Sequence, residues 1–175
     1  KGEKDCVKLL LQHNADPNLK NKNGSTALMH ASYNGHKDCV ELLLQHNADP
    51  NLKNKDDETA LLIATQENEK DCVELLLQHN ADPNLKNFDG CTALFTAIEY
   101  GDEDCIELLL KHNANLSIQN SYGNTALMFA IREGKKDFVE LLLKHNANSS
   151  LINNFGSSAL MLASENGHKD CVEFL

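Results

Sequence analysis

The sequence predicts an all-α solenoid in which short helical repeats stack in a single row. A Thr-Ala-Leu or Ser-Ala-Leu tripeptide recurs every 33 residues, at Thr26, Thr59, Thr92, Thr125 and Ser158. Each period also contains two stretches of apolar residues at helical spacing. A fixed period without insertions is typical of structural units that bury their apolar faces against neighbouring units, so no single central core is expected.

The period defines the expected organisation of residues 1–175 as one array. Four complete repeats are expected, and they span residues 22–54, 55–87, 88–120 and 121–153. A partial repeat at 1–21 precedes them and another at 154–175 follows them. Since terminal repeats of solenoids normally carry a polar outer face, we interpret the sequence as a fragment of a longer array or protein.

Each repeat is expected to begin with a short helix. In the 22–54 repeat, the Thr26 hydroxyl can accept a hydrogen bond from a first-turn backbone N–H. Leu28 and Ala31 then form an apolar face, and Ala residues allow the next helix to approach closely. Gly35 is expected to end this helix because glycine readily adopts a left-handed conformation.

A longer second helix is expected to follow after a tight turn. We predict that it begins near Asp38, with Asp38 and Glu41 forming a capping box. Its leucines, at positions 42–44, are expected to supply most of the buried surface. Asn47 is expected to end the helix in the left-handed conformation, and Asp49-Pro50-Asn51 then starts an extended turn.

This pattern resembles the ankyrin repeat, and the resemblance covers essentially the whole chain. The matching residues are Thr26-Ala27-Leu28-Met29-His30-Ala31, Gly35, Val40-Glu41-Leu42-Leu43-Leu44 and Asn47-Ala48-Asp49. The resemblance implies antiparallel helix pairs with extended β-hairpin-like fingers. It also implies protein–protein interaction, in which the variable positions on the concave face contact partners.

The chain departs from the family pattern in three ways. Ala replaces the family Pro, and Asn replaces the Gly that precedes Ala-Asp. An apolar residue replaces the family His, at Met29, Leu62, Phe95, Met128 and Met161. We therefore expect apolar packing in place of the polar network that this His forms between repeats.

Composition excludes several classes of function. The net charge is −10, whereas nucleic-acid binding favours a basic surface. No apolar run approaches the roughly 18 residues of a membrane span, so membrane insertion is not expected. Five of the six cysteines occupy one repeat position, and we interpret them as buried, reduced thiols of an intracellular, cytoplasmic protein. The sixth, Cys91, lies elsewhere in its repeat.

No catalytic, metal or cofactor site is expected. His13, His46, His79, His112 and His145 recur at the end of the second helix. Equivalent residues in stacked helices are about 10 Å apart, which is too far for one zinc ion. A structural role at the helix end is therefore favoured. His36 and Cys39 form one possible thiolate–base pair, but most repeats lack a histidine at the position of His36, so no shared site is built.

Candidate binding residues lie at positions that vary between repeats. Aromatic residues and Arg are enriched in interface hot spots, which selects Phe88, Tyr100, Tyr122, Arg132 and Phe155. Lysines at the fingers of the first half, including Lys53 and Lys55, form a second candidate surface for an acidic partner segment. Two alternatives stay open. The lysines can be a solubilising edge, and some of the aromatics can pack on a neighbouring finger.

The predicted function is a non-catalytic scaffold that binds a partner protein or peptide on its concave face. The alternative is that the array is a regulatory or targeting arm of a larger enzyme or channel.

Overall fold

A computed structural model describes residues 2–175, with side chains from residue 4 onward. The described chain contains eleven helices and no extended strand. The helices are α1 (Gly2–Gln12), α2 (Ala27–Tyr33), α3 (Lys37–Gln45), α4 (Ala60–Gln66), α5 (Lys70–Gln78), α6 (Ala93–Tyr100), α7 (Glu103–Lys111), α8 (Ala126–Arg132), α9 (Lys136–Lys144), α10 (Ala159–Glu165) and α11 (Lys169–Phe174).

The helices form two parallel layers, as expected for an all-α repeat solenoid. The shorter helices α2, α4, α6, α8 and α10 form the inner layer, and the remaining helices form the outer layer. Each inner helix packs against the outer helix that follows it and against the neighbouring inner helices. In the described part of the chain, no helix has both the length and the apolar character needed to cross a membrane.

The core runs along the whole array between these layers. Residues at the position of the family histidine lie inside it, because Met29, Leu62, Phe95 and Met128 are all buried. Phe95 also packs against Phe129 of the next unit, with ring centroids 5.8 Å apart. The prediction of apolar packing between repeats is confirmed for these four units.

Threonine or serine begins each inner helix, as the sequence predicts. The hydroxyl oxygens of Thr26, Thr59 and Thr125 each accept a hydrogen bond from the backbone N–H three residues later, at 3.3 Å. Ser158 does the same at 3.4 Å. Thr92 occupies the same position, but its side chain makes no such hydrogen bond.

The predicted capping box of the second helix is wrong. Helix α3 begins at Lys37, and His36 occupies the N-cap position without a side-chain hydrogen bond to the helix end. Asp38 therefore lies inside the first turn, where its carboxylate pairs with Lys4 of the preceding unit at 3.1 Å. A carboxylate in the first turn still interacts favourably with the helix dipole.

The outer helices are linked by a row of these lysine–aspartate pairs. Lys37 pairs with Asp71 at 3.2 Å, and Lys70 pairs with Asp104 at 2.7 Å. The row is interrupted at the next unit, because Glu103 occupies the lysine position. Exposed pairs of this kind contribute little stability individually, so the inner packing dominates.

Asparagine ends the outer helices, as predicted for Asn47. The residues at this position have φ angles of 62° to 64°, and they are Asn14, Asn47, Asn80, Asn113 and Asn146. A left-handed conformation costs most residues about 1–2 kcal/mol, but Asn and Gly less. This turn ends the outer helix, and the chain then continues to the next inner helix.

The cysteines are free thiols, and four of them are buried as expected. Cys39, Cys72, Cys105 and Cys171 lie in the core, whereas Cys6 is exposed, since α1 belongs to the first unit. Burial raises the pKa of the Cys72 thiol to about 11. Burial also raises the pKa of the Cys105 thiol, with a further contribution from the Asp102 carboxylate.

The two ends of the array leave apolar surface uncovered. A cleft of about 450 Å³ lies between α1 and the 22–54 unit, lined by Val7, Leu10, Leu11, Ala27 and Ala31 among others. No inner helix precedes α1 in the described chain, and this cleft occupies the equivalent place. Leu160 and Met161 are exposed on the opposite end face.

Substitution of Asn80 tests whether the end of an outer helix requires a residue that tolerates the left-handed conformation. Asn80→Ala should lower the free energy of unfolding by about 1–2 kcal/mol more than Asn80→Gly, because only the alanine is strained at φ 64°. Urea unfolding followed by circular dichroism measures both variants. Equal unfolding midpoints would contradict the assigned conformation.

The buried thiol predicts a specific pH dependence. Since the folded-state pKa of Cys72 lies above its ordinary value of 9.0, the unfolded chain loses this proton at lower pH. The thiol therefore lowers stability as pH rises from about 9 to about 11. Between pH 8 and pH 10, wild type should lose about 1 kcal/mol more stability than Cys72→Ala.

The measurement is urea unfolding under reducing conditions, with Cys6→Ala as the matched control. This variant removes an exposed thiol, and it should lose as much stability between pH 8 and pH 10 as wild type does. An equal loss of stability in wild type and in Cys72→Ala would show that burial does not raise the pKa of the Cys72 thiol.

Candidate functional site: the concave face

We call the surface formed by the inner helices and by the five short turns that precede them the concave face. We call these turns the fingers, and they comprise residues 21–25, 54–58, 87–91, 120–124 and 153–157. Two of them are closed by an isolated antiparallel bridge, Gln119 with Thr125 and Ile152 with Ser158. The fingers are therefore tight turns with minimal β character.

An asparagine builds each finger from its first position. The Asn120 side-chain oxygen accepts hydrogen bonds from the backbone N–H groups of Tyr122 and Asn124, at 3.0 and 3.1 Å. The Asn153 oxygen accepts equivalent hydrogen bonds from Phe155 and Ser157, at 3.0 and 2.9 Å. These local bonds fix the turn and direct the next side chain, Tyr122 or Phe155, outward.

Backbone hydrogen bonds align neighbouring fingers. Lys55 N–H donates to the Asn23 carbonyl at 3.0 Å, and Phe88 N–H donates to the Asp56 carbonyl at 3.3 Å. Ser121 N–H donates to the Asp89 carbonyl at 3.0 Å, and Asn154 N–H to the Tyr122 carbonyl at 3.1 Å. The fingers thus form a connected row.

A second row of hydrogen bonds runs beside the fingers and uses the predicted lysines. The amines of Lys20, Lys53 and Lys86 each donate to the backbone carbonyl one period later. Gln119 continues the row by donating to the Ile152 carbonyl at 2.8 Å. We call this row the carbonyl ladder, and it links five successive units.

The structure therefore distinguishes the two candidate lysines. Lys53 belongs to the carbonyl ladder, and its amine also pairs with Asp57 at 3.6 Å. Lys55 extends from the tip of its finger, where its side chain is exposed. Lys53 is held by the scaffold, whereas Lys55 faces solvent.

The predicted aromatic residues are exposed on the concave side. Phe88 is 81% exposed and Phe155 is 75% exposed, while Tyr122 and Tyr100 are 59% and 55% exposed. The alternative of sideways packing on the neighbouring finger does not apply to Phe88 and Phe155 at these exposures. Large exposed aromatic side chains indicate an interaction surface when they share one face.

Three of the predicted residues line a single cleft near the last two fingers. We call it the C-terminal cleft, and its volume is about 590 Å³. It is lined by Tyr122, Asn124, Arg132, Asn153, Phe155, Ser157, Leu162 and Glu165. Phe88, Tyr100, Lys53 and Lys55 lie outside this cleft.

Sequence reasoning missed the polar floor of the C-terminal cleft. Asn124 and Asn153 are both buried, and the Asn153 amide nitrogen donates to the Asn124 side-chain oxygen at 2.9 Å. The available signal was a difference between repeats, since Ser25, Glu58 and Cys91 occupy the position of Asn124. This difference in sequence points to a binding surface only once the structure shows that the position lines a cleft.

The recurring histidines have a structural role. In His46, His79 and His112 the ring Nδ1 lies 2.9 Å from the backbone carbonyl oxygen four residues earlier. In these three outer helices, the contact adds a second polar partner to a carbonyl that already accepts the backbone N–H of the same histidine. Among the described residues, no group of three or more His, Cys, Asp or Glu side chains is arranged to hold a metal ion.

Comparison with known proteins identifies the repeat. The family model for ankyrin repeats (3 copies) matches residues 1–87, 48–120, 80–153 and 115–175, which together span the chain. The fold is similar to a crystal structure of the ankyrin repeat protein EF0377, with a TM-score of 0.90 and 28% sequence identity. That match covers 98% of this chain and 90% of the other. A search of curated protein sequences finds no significant match.

The different positions of the two lysines lead to a stability prediction. Lys53→Met should lower the free energy of unfolding by about 0.5–1.5 kcal/mol, because it removes a hydrogen bond of the carbonyl ladder. Lys55→Met should leave stability nearly unchanged. Chemical denaturation of both variants measures the difference, and equal effects would contradict a structural role for Lys53.

Proposed function

This chain belongs to the ankyrin repeat family, and on that basis we propose that it is a non-catalytic scaffold for a partner protein or peptide. Binding occurs on the concave face, where Phe88, Tyr100, Tyr122, Arg132 and Phe155 form the main contacts. Ankyrin repeats are generally protein–protein interaction modules, which supports this assignment. The free thiols support an intracellular, cytoplasmic location.

The observation that carries the proposal is the exposure of aromatic side chains on the fingers and at the end of an inner helix. Burying a Phe or Tyr side chain against a partner contributes about 1.5–3 kcal/mol, and such residues concentrate binding energy. Because the fingers are joined by backbone hydrogen bonds and the carbonyl ladder, the aromatics are held in place before binding. A rigid surface loses little conformational entropy on association.

Lys53 and Lys55 have a secondary part in the proposal. Lys55 contacts acidic groups of the partner directly from its exposed position. Lys53 adds positive charge nearby while its amine stays in the carbonyl ladder. Exposed charges of this kind change association rates more than affinity.

The proposal predicts that concave aromatics are required for partner capture. The triple variant Phe88→Ala/Tyr122→Ala/Phe155→Ala should lose a partner that wild type captures from native lysate, since the side-chain contact area is removed. The matched control is Gln78→Ala/Lys111→Ala/Lys144→Ala, which changes three exposed residues at equivalent positions on the outer helices. The control should capture the same partner at the wild-type level.

Circular dichroism establishes that both triple variants keep the wild-type helical content. Equal capture by wild type and by the concave variant would overturn the proposed site. Loss of capture in the control alone would assign binding to the outer helices instead.

A further inference from the structure

We propose that the C-terminal cleft binds an aspartate or glutamate side chain of an extended partner segment, with an apolar residue of that segment beside it. This inference rests on the proposed function and assigns part of the concave face a ligand chemistry. Three features of the cleft carry it, namely an unused hydrogen-bond donor, an unpaired guanidinium and an aromatic wall.

The unused donor is the side-chain nitrogen of Asn124. This side chain is 1% exposed, and its nitrogen has no hydrogen-bond partner in the described chain. The orientation of the amide is determined by its neighbours. The Asn153 oxygen accepts two backbone hydrogen bonds, so its nitrogen must donate, and the Asn124 atom that it meets must be the oxygen.

A buried donor without an acceptor is unfavourable. Asn124 lines the cleft, and a ligand oxygen placed there satisfies this donor. The site therefore favours a hydrogen-bond acceptor over a donor. A carboxylate is the strongest acceptor that a protein segment can supply.

Arg132 supplies the positive charge. Its side chain is exposed and lines the cleft, and no carboxylate of the described residues lies within ion-pair distance of it. The residues at the same position in the other repeats are Tyr33, Gln66, Glu99 and Glu165. The array thus has one cation at this position, in the unit that contains Asn124. A guanidinium binds carboxylates with paired hydrogen bonds.

The remaining residues of the cleft determine the neighbour of the bound carboxylate and the charge that the ligand can carry. Tyr122, Phe155 and Leu162 supply apolar contact for the residue next to the carboxylate. Glu165 also lines the cleft, so a doubly charged phosphate is disfavoured relative to a singly charged carboxylate. One carboxylate with an adjacent apolar side chain fits this combination.

The 121–153 repeat differs in charge from the two repeats that precede it. The 55–87 repeat carries eight acidic and three basic side chains, and the 88–120 repeat carries six acidic and one basic. The 121–153 repeat carries three acidic and four basic side chains. The unit that presents Arg132 therefore accommodates an acidic group better than either of the two repeats before it does.

The test begins with a random dodecapeptide display library selected on the immobilised full chain. Enriched peptides are expected to contain an Asp or Glu beside an aromatic or aliphatic residue. Each selected peptide is synthesised in its native form and with that acid replaced by its amide. Fluorescence anisotropy then gives the affinity of both forms for wild type and for the variants.

Arg132→Gln and replacement of the peptide acid by its amide should each weaken binding about tenfold, with little further loss when they are combined. Lys111→Gln removes the same charge from an outer helix and should leave affinity unchanged. Asn124→Asp retains the acceptor for Asn153 but replaces the free donor with an oxygen, so it should weaken binding of the acidic peptide. Glu165→Gln should strengthen it.

Three results would overturn the inference. The first is selection of peptides without an acidic residue, and the second is failure to enrich any peptide. The third is that the losses of affinity from Arg132→Gln and from the peptide amide add when the two changes are combined. A peptide whose binding requires Tyr122 and Phe155 but not Arg132 would remove the inference and leave the concave scaffold intact. Binding that is insensitive to every concave substitution would remove both.

Discussion

Burial of each unit's apolar face by its neighbours is the interaction on which the rest of this structure depends. An inner helix of seven or eight residues is too short to be stable alone. It is held by the outer helix of its own unit and by the inner helices on either side. Phe95 shows this most directly, since it is buried in one unit and packs on Phe129 of the next.

The position of the concave surface follows from that packing. Stacked inner helices set the spacing of the fingers, and the asparagine at the start of each finger determines the shape of its turn. Backbone hydrogen bonds and the carbonyl ladder then join neighbouring fingers. Tyr122 and Phe155 are therefore placed by local hydrogen bonding and by stacking at the same time, while their rings remain free for a partner.

Much of the fold was predictable because the same local requirements recur in every repeat. The threonine caps, the left-handed asparagines and the apolar residues at the family histidine position were all predicted from the sequence. The capping box at Asp38 was wrong because an acidic residue suits both the N-cap and the first turn. The ion pair between Asp38 and Lys4 of the preceding unit was not visible in the pattern.

The site was predictable only in part. Tyr122, Arg132 and Phe155 were selected by residue type, and the structure places them around one cleft. Asn124 was not selected, because its importance depends on Asn153, which is 29 residues away and determines the orientation of its amide. A hydrogen bond between the side chains of two fingers is recognised only in the stacked structure. Residue type alone identifies only candidates for exposed binding residues.

The most direct test of nearest-neighbour burial is native-state hydrogen exchange of wild type and Phe95→Ala. Exchange should be slowest in α4, α6 and α8 and faster in α1 and α11 at the ends. Phe95→Ala should accelerate exchange most in α6 and in the inner helices on both sides of it. Uniform exchange along wild type, or an effect of the substitution confined to α6, would contradict stabilisation by neighbouring units.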